Sequence, residues 1–172
     1  MSESIYPEKE YTCCFSGHRD IRDSDLKEIR ENLKNTIIKL IQQDVYRFVA
    51  GGALGFDTIA AQTVLELKKD FPHIKLYLAL PCKTQTKSWP QRDKEIYEEI
   101  KAKSDNFMYV SENYFTGCMQ KRNRLMVDIS RYLICYLNRN TGGTAYTVSY
   151  AKKNGLNVVN LAGPVIQEEI IL

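Results

Sequence analysis

Five short stretches of the chain hold the residue types that could bind a ligand or move a proton. The first is Ser16-Gly17-His18-Arg19. Gly17 permits a sharp turn or a close backbone approach, and His18 and Arg19 offer donors to a phosphate or carboxylate. The alternative is a turn with solvated polar side chains. The second stretch is Gly51-Gly52-Ala53-Leu54-Gly55-Phe56-Asp57. Backbone amides in such a loop, with a helix start behind them, favour a phosphate. Gly52 is expected where a branched side chain would block that phosphate. The spacing is neither the GxGxxG dinucleotide fingerprint nor a P-loop. Asp57 is read as the N-cap of its helix, with a hydrogen bond to a ribose hydroxyl as the rival role.

The third stretch runs from Pro81-Cys82 through Gln85 to Trp89. It could form a flap in which Gln85 bonds a base edge and Trp89 stacks on the base. Equally, Trp89 could anchor its own helix in the core. The fourth, Gly117 to Arg124, puts Lys121, Arg122 and Arg124 near a helix start, where cations oppose the helix dipole. An anionic partner or a solvated helix face would each explain this, and Asn123 lies among them. The fifth is Asn138 to Thr144, where Gly142 and Gly143 open a helix and Thr141 and Thr144 add hydroxyls. The second and fifth stretches are expected to form two facing phosphate cradles.

The elements that must position these stretches alternate. Apolar runs at Tyr11 to Ser16, Val45 to Ala50, Ile74 to Leu80, Asn106 to Val110, Tyr132 to Leu137 and Asn157 to Leu161 are read as strands. Between them lie helical patterns. Leu26, Ile29, Leu33, Ile37 and Leu40 share one face, behind a capping box at Asp25 and Glu28. Ile59, Ala60, Val64 and Leu67 share another. Pro90 opens a helix carrying Ile96 and Ile100, and Met119, Leu125, Met126 and Ile129 are read as inward on a helix from Cys118 to Ser130. A last helix closes at Asn154-Gly155. This order predicts an α/β fold, a Rossmann-like three-layer sandwich with a mainly parallel sheet. Gly17, Gly51, Pro81 and Thr141 then fall at one end of it, where open parallel sheets bind ligands.

The 172 residues suit one domain, expected over residues 1–172. With 44% hydrophobic and 26% charged residues, disordered and collagen-like classes are excluded. A net charge of +3 suits an anionic small ligand and does not demand nucleic acid. The five cysteines have no zinc spacing and read as free buried thiols, and no metal site is expected. No targeting segment or membrane span is read in the sequence, so a cytoplasmic location is expected. The tail after Pro164 is short, apolar and unplaced.

Read in order, CFSGHR, GGALGFD, LALPC with Gln85 and Trp89, QKRNRLM, and NTGGTAYTVSYAKKNG resemble the SLOG superfamily, in particular its YpsA/YoqJ-like branch of small bacterial and phage proteins. The resemblance covers roughly Cys14 to Leu161. Lys121 to Gly155 is also similar to the DNA-processing protein A family, with Arg122, Asn123, Arg124, Ser130, Gly143 and Thr147 at the matching positions. The resemblance implies a nucleotide-derived ligand such as NAD, ADP-ribose or a nucleoside phosphate. It makes a bound nucleotide the one cofactor to expect and a homodimer the expected partner arrangement.

Three functions follow as expectations. The first is binding or sensing of such a ligand. The second is N-glycosidic cleavage of the phosphoribohydrolase type, as in Lonely Guy enzymes. The third, less favoured, is binding of single-stranded nucleic acid. Lonely Guy enzymes carry PGGxGT and a later Glu, whereas no Glu follows TGGTAYTV on its helix here. No catalytic motif is complete, Asp57 is the one nearby carboxylate, and Asp128 is the reserve. Rapid turnover of AMP or NAD is therefore not expected.

Overall fold

The computed structural model describes residues 7–163; the segments 1–6 and 164–172, with the apolar tail, lie outside the described residues. The strands are β1 (Thr12–Gly17), β2 (Arg47–Ala50), β3 (Lys75–Cys82), β4 (Asn106–Ser111), β5 (Tyr132–Tyr136) and β6 (Asn157–Asn160). The helices are α1 (Asp23–Gln42), α2 (Phe56–Leu67), α3 (Gln91–Lys103), α4 (Cys118–Asp128) and α5 (Gly143–Lys153). The strands form one sheet in the order β4-β3-β2-β1-β5-β6, and every pairing is parallel.

Side chains alternate across the sheet with period two, as the pleat requires. Cys13, Phe15, Phe48, Ala50, Leu76, Leu78, Ile134 and Tyr136 pack under α1, α2 and α3. Their neighbours Cys14, Val49, Ala79, Leu133 and Cys135 pack under α4 and α5. Both faces are covered, which explains the near-continuous apolar runs. The five cysteines are buried, and none is in a disulfide. β4 is an edge strand, with Phe107 and Met108 exposed, and this accounts for its weaker apolar pattern. No described helix is long and apolar enough to cross a membrane.

Two local expectations are corrected. Asp25 does not cap α1: the helix begins at Asp23 after Arg22, and Asp25 instead pairs with the Arg22 guanidinium at 2.9 Å. The inward face of α4 also differs. Cys118, Arg122, Met126 and Val127 are buried, while Met119, Leu125 and Ile129 are half-buried.

From β1 the chain steps outward through β2 and β3 to β4, then returns to lay β5 beside β1. That reversal splays the loops after β1 and β5 apart. Parallel α/β sheets have their ligand crevice at this switch point, beyond the carboxyl ends of the strands.

Candidate functional site

A cleft of about 340 Å³ opens at the switch point. The end of β1 and the loop after it supply Ser16 to Asp20, and the loop after β5 supplies Arg139, Thr141 and the start of α5. Ala53 and Asp57 close it from the β2 side, and Met119, Arg122 and Asn123 of α4 form its remaining wall. The volume lies within the range of small-molecule sites.

His18 ties the two main loops together. Its backbone amide donates to the Tyr136 carbonyl at 3.3 Å, and its Nε2 accepts from the Asn138 amide at 3.1 Å. An accepting Nε2 puts the ring's proton on Nδ1 and requires a neutral imidazole. Burial lowers its pKa, Arg139 lowers it further, and Asp20 partly offsets them. The folded state thus resists protonation that the unfolded chain accepts near 6.5. The stability His18 confers is complete above that value and is lost as pH falls from there toward the lower folded pKa. The difference in unfolding free energy between wild type and His18→Gln should shrink across that window in urea titrations. A difference independent of pH would contradict this.

Asp57 lies one residue inside α2, so it is not the N-cap expected of it. Gly55 occupies that position, and no side chain caps the helix. The Asp57 carboxylate turns back to accept from the Ala53 amide at 3.3 Å. Burial pushes its pKa from 3.8 up to about 6, with Arg122 and Arg19 pulling the other way. Ionising Asp57 therefore costs stability as pH rises through that interval.

Arg122 is almost wholly buried. Its Nη1 donates to the Gly51 carbonyl and, at 3.4 Å, to the Ala79 carbonyl, while Nε donates to Asn123 Oδ1 at 2.7 Å. It straps the carboxyl ends of β2 and β3 while forming one wall of the cleft. Burial lowers its pKa and Asp57 counters this. A cation buried beside a raised carboxylate, with an open crevice in front, is an arrangement common at functional sites.

The start of α5 is open. Its first intrahelical bond runs from the Tyr146 amide to the Gly142 carbonyl at 3.2 Å. The amides of Gly143, Thr144 and Ala145 therefore have no intrahelical acceptor. Gly142, Gly143 and Thr144 line the cleft, and side-chain positions built at the two glycines meet nothing within 4 Å.

The other expected cradle, at the Gly51 to Asp57 loop, already has two of its amides engaged within the fold. In the Gly51 to Asp57 loop, the Ala53 amide is taken by Asp57, the Ala53 carbonyl accepts from Thr58 Oγ1 at 3.0 Å, and the Phe56 amide donates to the His18 carbonyl at 3.2 Å. These glycines serve packing. Gly55, at φ 76, passes against the Arg19 backbone, where a Cβ would collide. Gly51 leaves room for the Arg122 and Asp57 side chains. Gly52, at φ 73, faces the core rather than the cleft, and a Cβ there would lie 2.5 Å from Leu80 Cδ2. Gly52→Val is thus a folding lesion, not a block to a phosphate. It should cost about 3 kcal/mol in denaturant unfolding; unchanged stability would contradict this placement.

The structure brings together Gly17, His18, Arg19, Asp57, Arg122, Asn123, Thr141, Gly142, Gly143 and Thr144. Pro81 lies within β3 and does not line the cleft. Gln85 donates to the Gly52 carbonyl at 3.3 Å, and Trp89 packs edge-on against Tyr97 of α3 at 5.6 Å. Trp89 is a helix anchor, and the flap does not reach the cleft. Asp128, the reserve carboxylate, accepts from Tyr150 Oη at 2.7 Å outside the cleft. Ser16 of the first stretch also lines the cleft, as do Asp20 and Arg139, which the sequence reading does not single out. All three sit in or directly beside stretches it marks, and Arg139 is a cation next to a glycine-opened helix.

The solved structures of two DNA processing proteins A resemble this chain. That from Streptococcus pneumoniae aligns with a TM-score of 0.66 at 17% identity, over 92% of this chain and 52% of its own. That from Helicobacter pylori, described for its single-stranded DNA binding mode, gives 0.63 at 18% identity, over 89% and 66%. The chain thus spans about half of the first protein and two thirds of the second, and at these identities the likeness concerns the fold. By sequence, the SPbeta prophage-derived protein YoqJ of Bacillus subtilis is 32% identical over 149 residues, covering 79% of this chain and 87% of YoqJ. The UPF0398 protein YpsA of the same organism is 25% identical over 134 residues, covering 76% and 74%. The family model matches residues 14–161, most of the chain, and on that match the chain belongs to the YspA SLOG family.

Proposed function

We propose that this chain binds a nucleotide or nucleotide-derived small molecule in the cleft between the ends of β1 and β5. The observation that carries this reading is three buried polar side chains, His18, Asp57 and Arg122, lining one open crevice at the switch point. Burying such groups is costly, and a ligand that completes their hydrogen bonds repays it. A phosphate would sit on the amides of Gly143 and Thr144 at the α5 N-terminus, with Arg19 and Arg139 alongside. Asp57 would accept from a ribose hydroxyl. NAD, ADP-ribose and nucleoside monophosphates have this chemistry. So does the end of a DNA strand, the occupant suggested by the H. pylori protein's described binding mode.

A ligand at a hundredfold excess over its Kd stabilises the native state by about 2.7 kcal/mol. For a chain this size that raises Tm by roughly 5–10 °C. The test is a thermal-shift panel of AMP, NAD, ADP-ribose and a short oligodeoxynucleotide. A rise with at least one supports binding, and no rise with any rejects it.

One observation favours N-glycosidic cleavage as a second reading. Asp57 offers the cleft a carboxylate with a pKa of about 6, suited to face the positive charge that grows on a ribose as its base departs. Free base released from AMP or NAD, and lost in Asp57→Asn, would establish it. Absence of release leaves binding alone.

A further inference from the structure

Beside the cleft lies a second depression of about 630 Å³, and it shares Gly142 and Gly143 with the first. Its far walls are Phe115, at the approach to α4, and Lys121, Arg124 and Tyr146. None of its lining residues is acidic. Phe115 and Tyr146 are 42% and 41% exposed, high for rings on a folded surface. The Tyr146 ring is nonetheless held in place. It stacks on Tyr150 at 6.4 Å with an interplanar angle of 8°, and its hydroxyl receives a hydrogen bond from Arg124 Nη1 at 3.1 Å. Tyr150 is itself fixed through Asp128. Lys121 Nζ sits 6.0 Å from the Phe115 ring centroid. One exposed ring held in place, a second exposed ring and flanking cations suit a base followed by a phosphate.

We propose that this shelf is a second subsite, occupied by the second base of a ligand whose first nucleoside lies in the cleft. The linking phosphate would cross Gly142 and Gly143, where no side chain obstructs either depression. The ligand class is then two bases joined through phosphate, and not a mononucleotide. The inference rests on the cleft reading above and specifies its ligand.

The test compares three probes by calorimetry: AMP, diadenosine diphosphate with its pyrophosphate link, and the phosphodiester dinucleotide pdApdA. At least one two-base probe should bind about tenfold or more tightly than AMP, as stacking of one added base predicts. Tyr146→Ala should remove that gain while leaving AMP affinity unchanged, and Tyr146→Phe should keep most of it. Lys121→Glu, on the opposite exposed wall, should weaken both two-base probes and spare AMP. The link that is preferred separates a soluble dinucleotide from a strand end. Two-base probes that bind no better than AMP, or a gain that survives both Tyr146→Ala and Lys121→Glu, would overturn the shelf while AMP binding upheld the cleft. Binding by none of the three would overturn both.

Discussion

Replacing Arg122 by Met should lower the unfolding free energy by about 3 kcal/mol, because it removes the charge-assisted hydrogen bonds of a buried guanidinium and leaves two buried carbonyls without a donor. The substitution keeps much of the side chain's length and removes its donors. The Gly51 and Ala79 carbonyls lose the guanidinium that caps them, and Asp57 loses its main neighbouring cation. Because Arg122 lowers the Asp57 pKa, its removal should move that pKa above 6, a shift readable by NMR titration of the carboxyl carbon. Adding Asp57→Asn should recover part of the lost stability, since no uncompensated carboxylate then remains. Arg122→Lys should recover little, because one ammonium cannot span two carbonyls and Asn123 in the plane of a guanidinium. A loss below about 1 kcal/mol in urea unfolding would mean that Arg122 is not the strap described here.

Gly143→Glu should do the reverse, leaving stability intact and abolishing ligand binding. The position is the first of α5, its side chain would enter open space, and an acid at a helix start is favourable. A carboxylate there would face the phosphate directly. Like charges placed together cost several kcal/mol, so affinity should fall about 100-fold or more. Gly143→Gln separates charge from bulk and should be milder. Equal loss in both variants would point to steric exclusion instead.

The fold was legible because its signals are local. Apolar runs with period-two packing, and stripes recurring every three or four residues, need no knowledge of distant contacts. The loops at the sheet's carboxyl edge were legible for the same reason, since parallel order places them all at one end. What each loop does there depends on partners far along the chain. The β2 loop has the composition of an open cradle, but the His18 carbonyl and the Asp57 carboxylate take two of its amides. The His18 to Asn138 bond spans 120 residues and has no sequence signature. Asp57 was read as a cap because acids commonly begin helices, whereas Gly55 already holds that place. The role of Arg122 did leave a trace. Cys118, Arg122 and Met126 recur at intervals of four, so the arginine sits within the buried stripe of α4, while Lys121 and Arg124 fall outside it.

A nucleotide at the β1/β5 switch point would rest its phosphate on the start of α5. The most direct measurement is an amide NMR titration of the wild-type protein with the ligand that raises Tm most. The largest shifts should fall on the amides of Gly143 and Thr144 and on residues 17–20, with a downfield move at the α5 amides as they take up a phosphate oxygen. Saturable shifts confined to the opposite end of the sheet, or to the β4 edge around Phe107 and Met108, would contradict this placement.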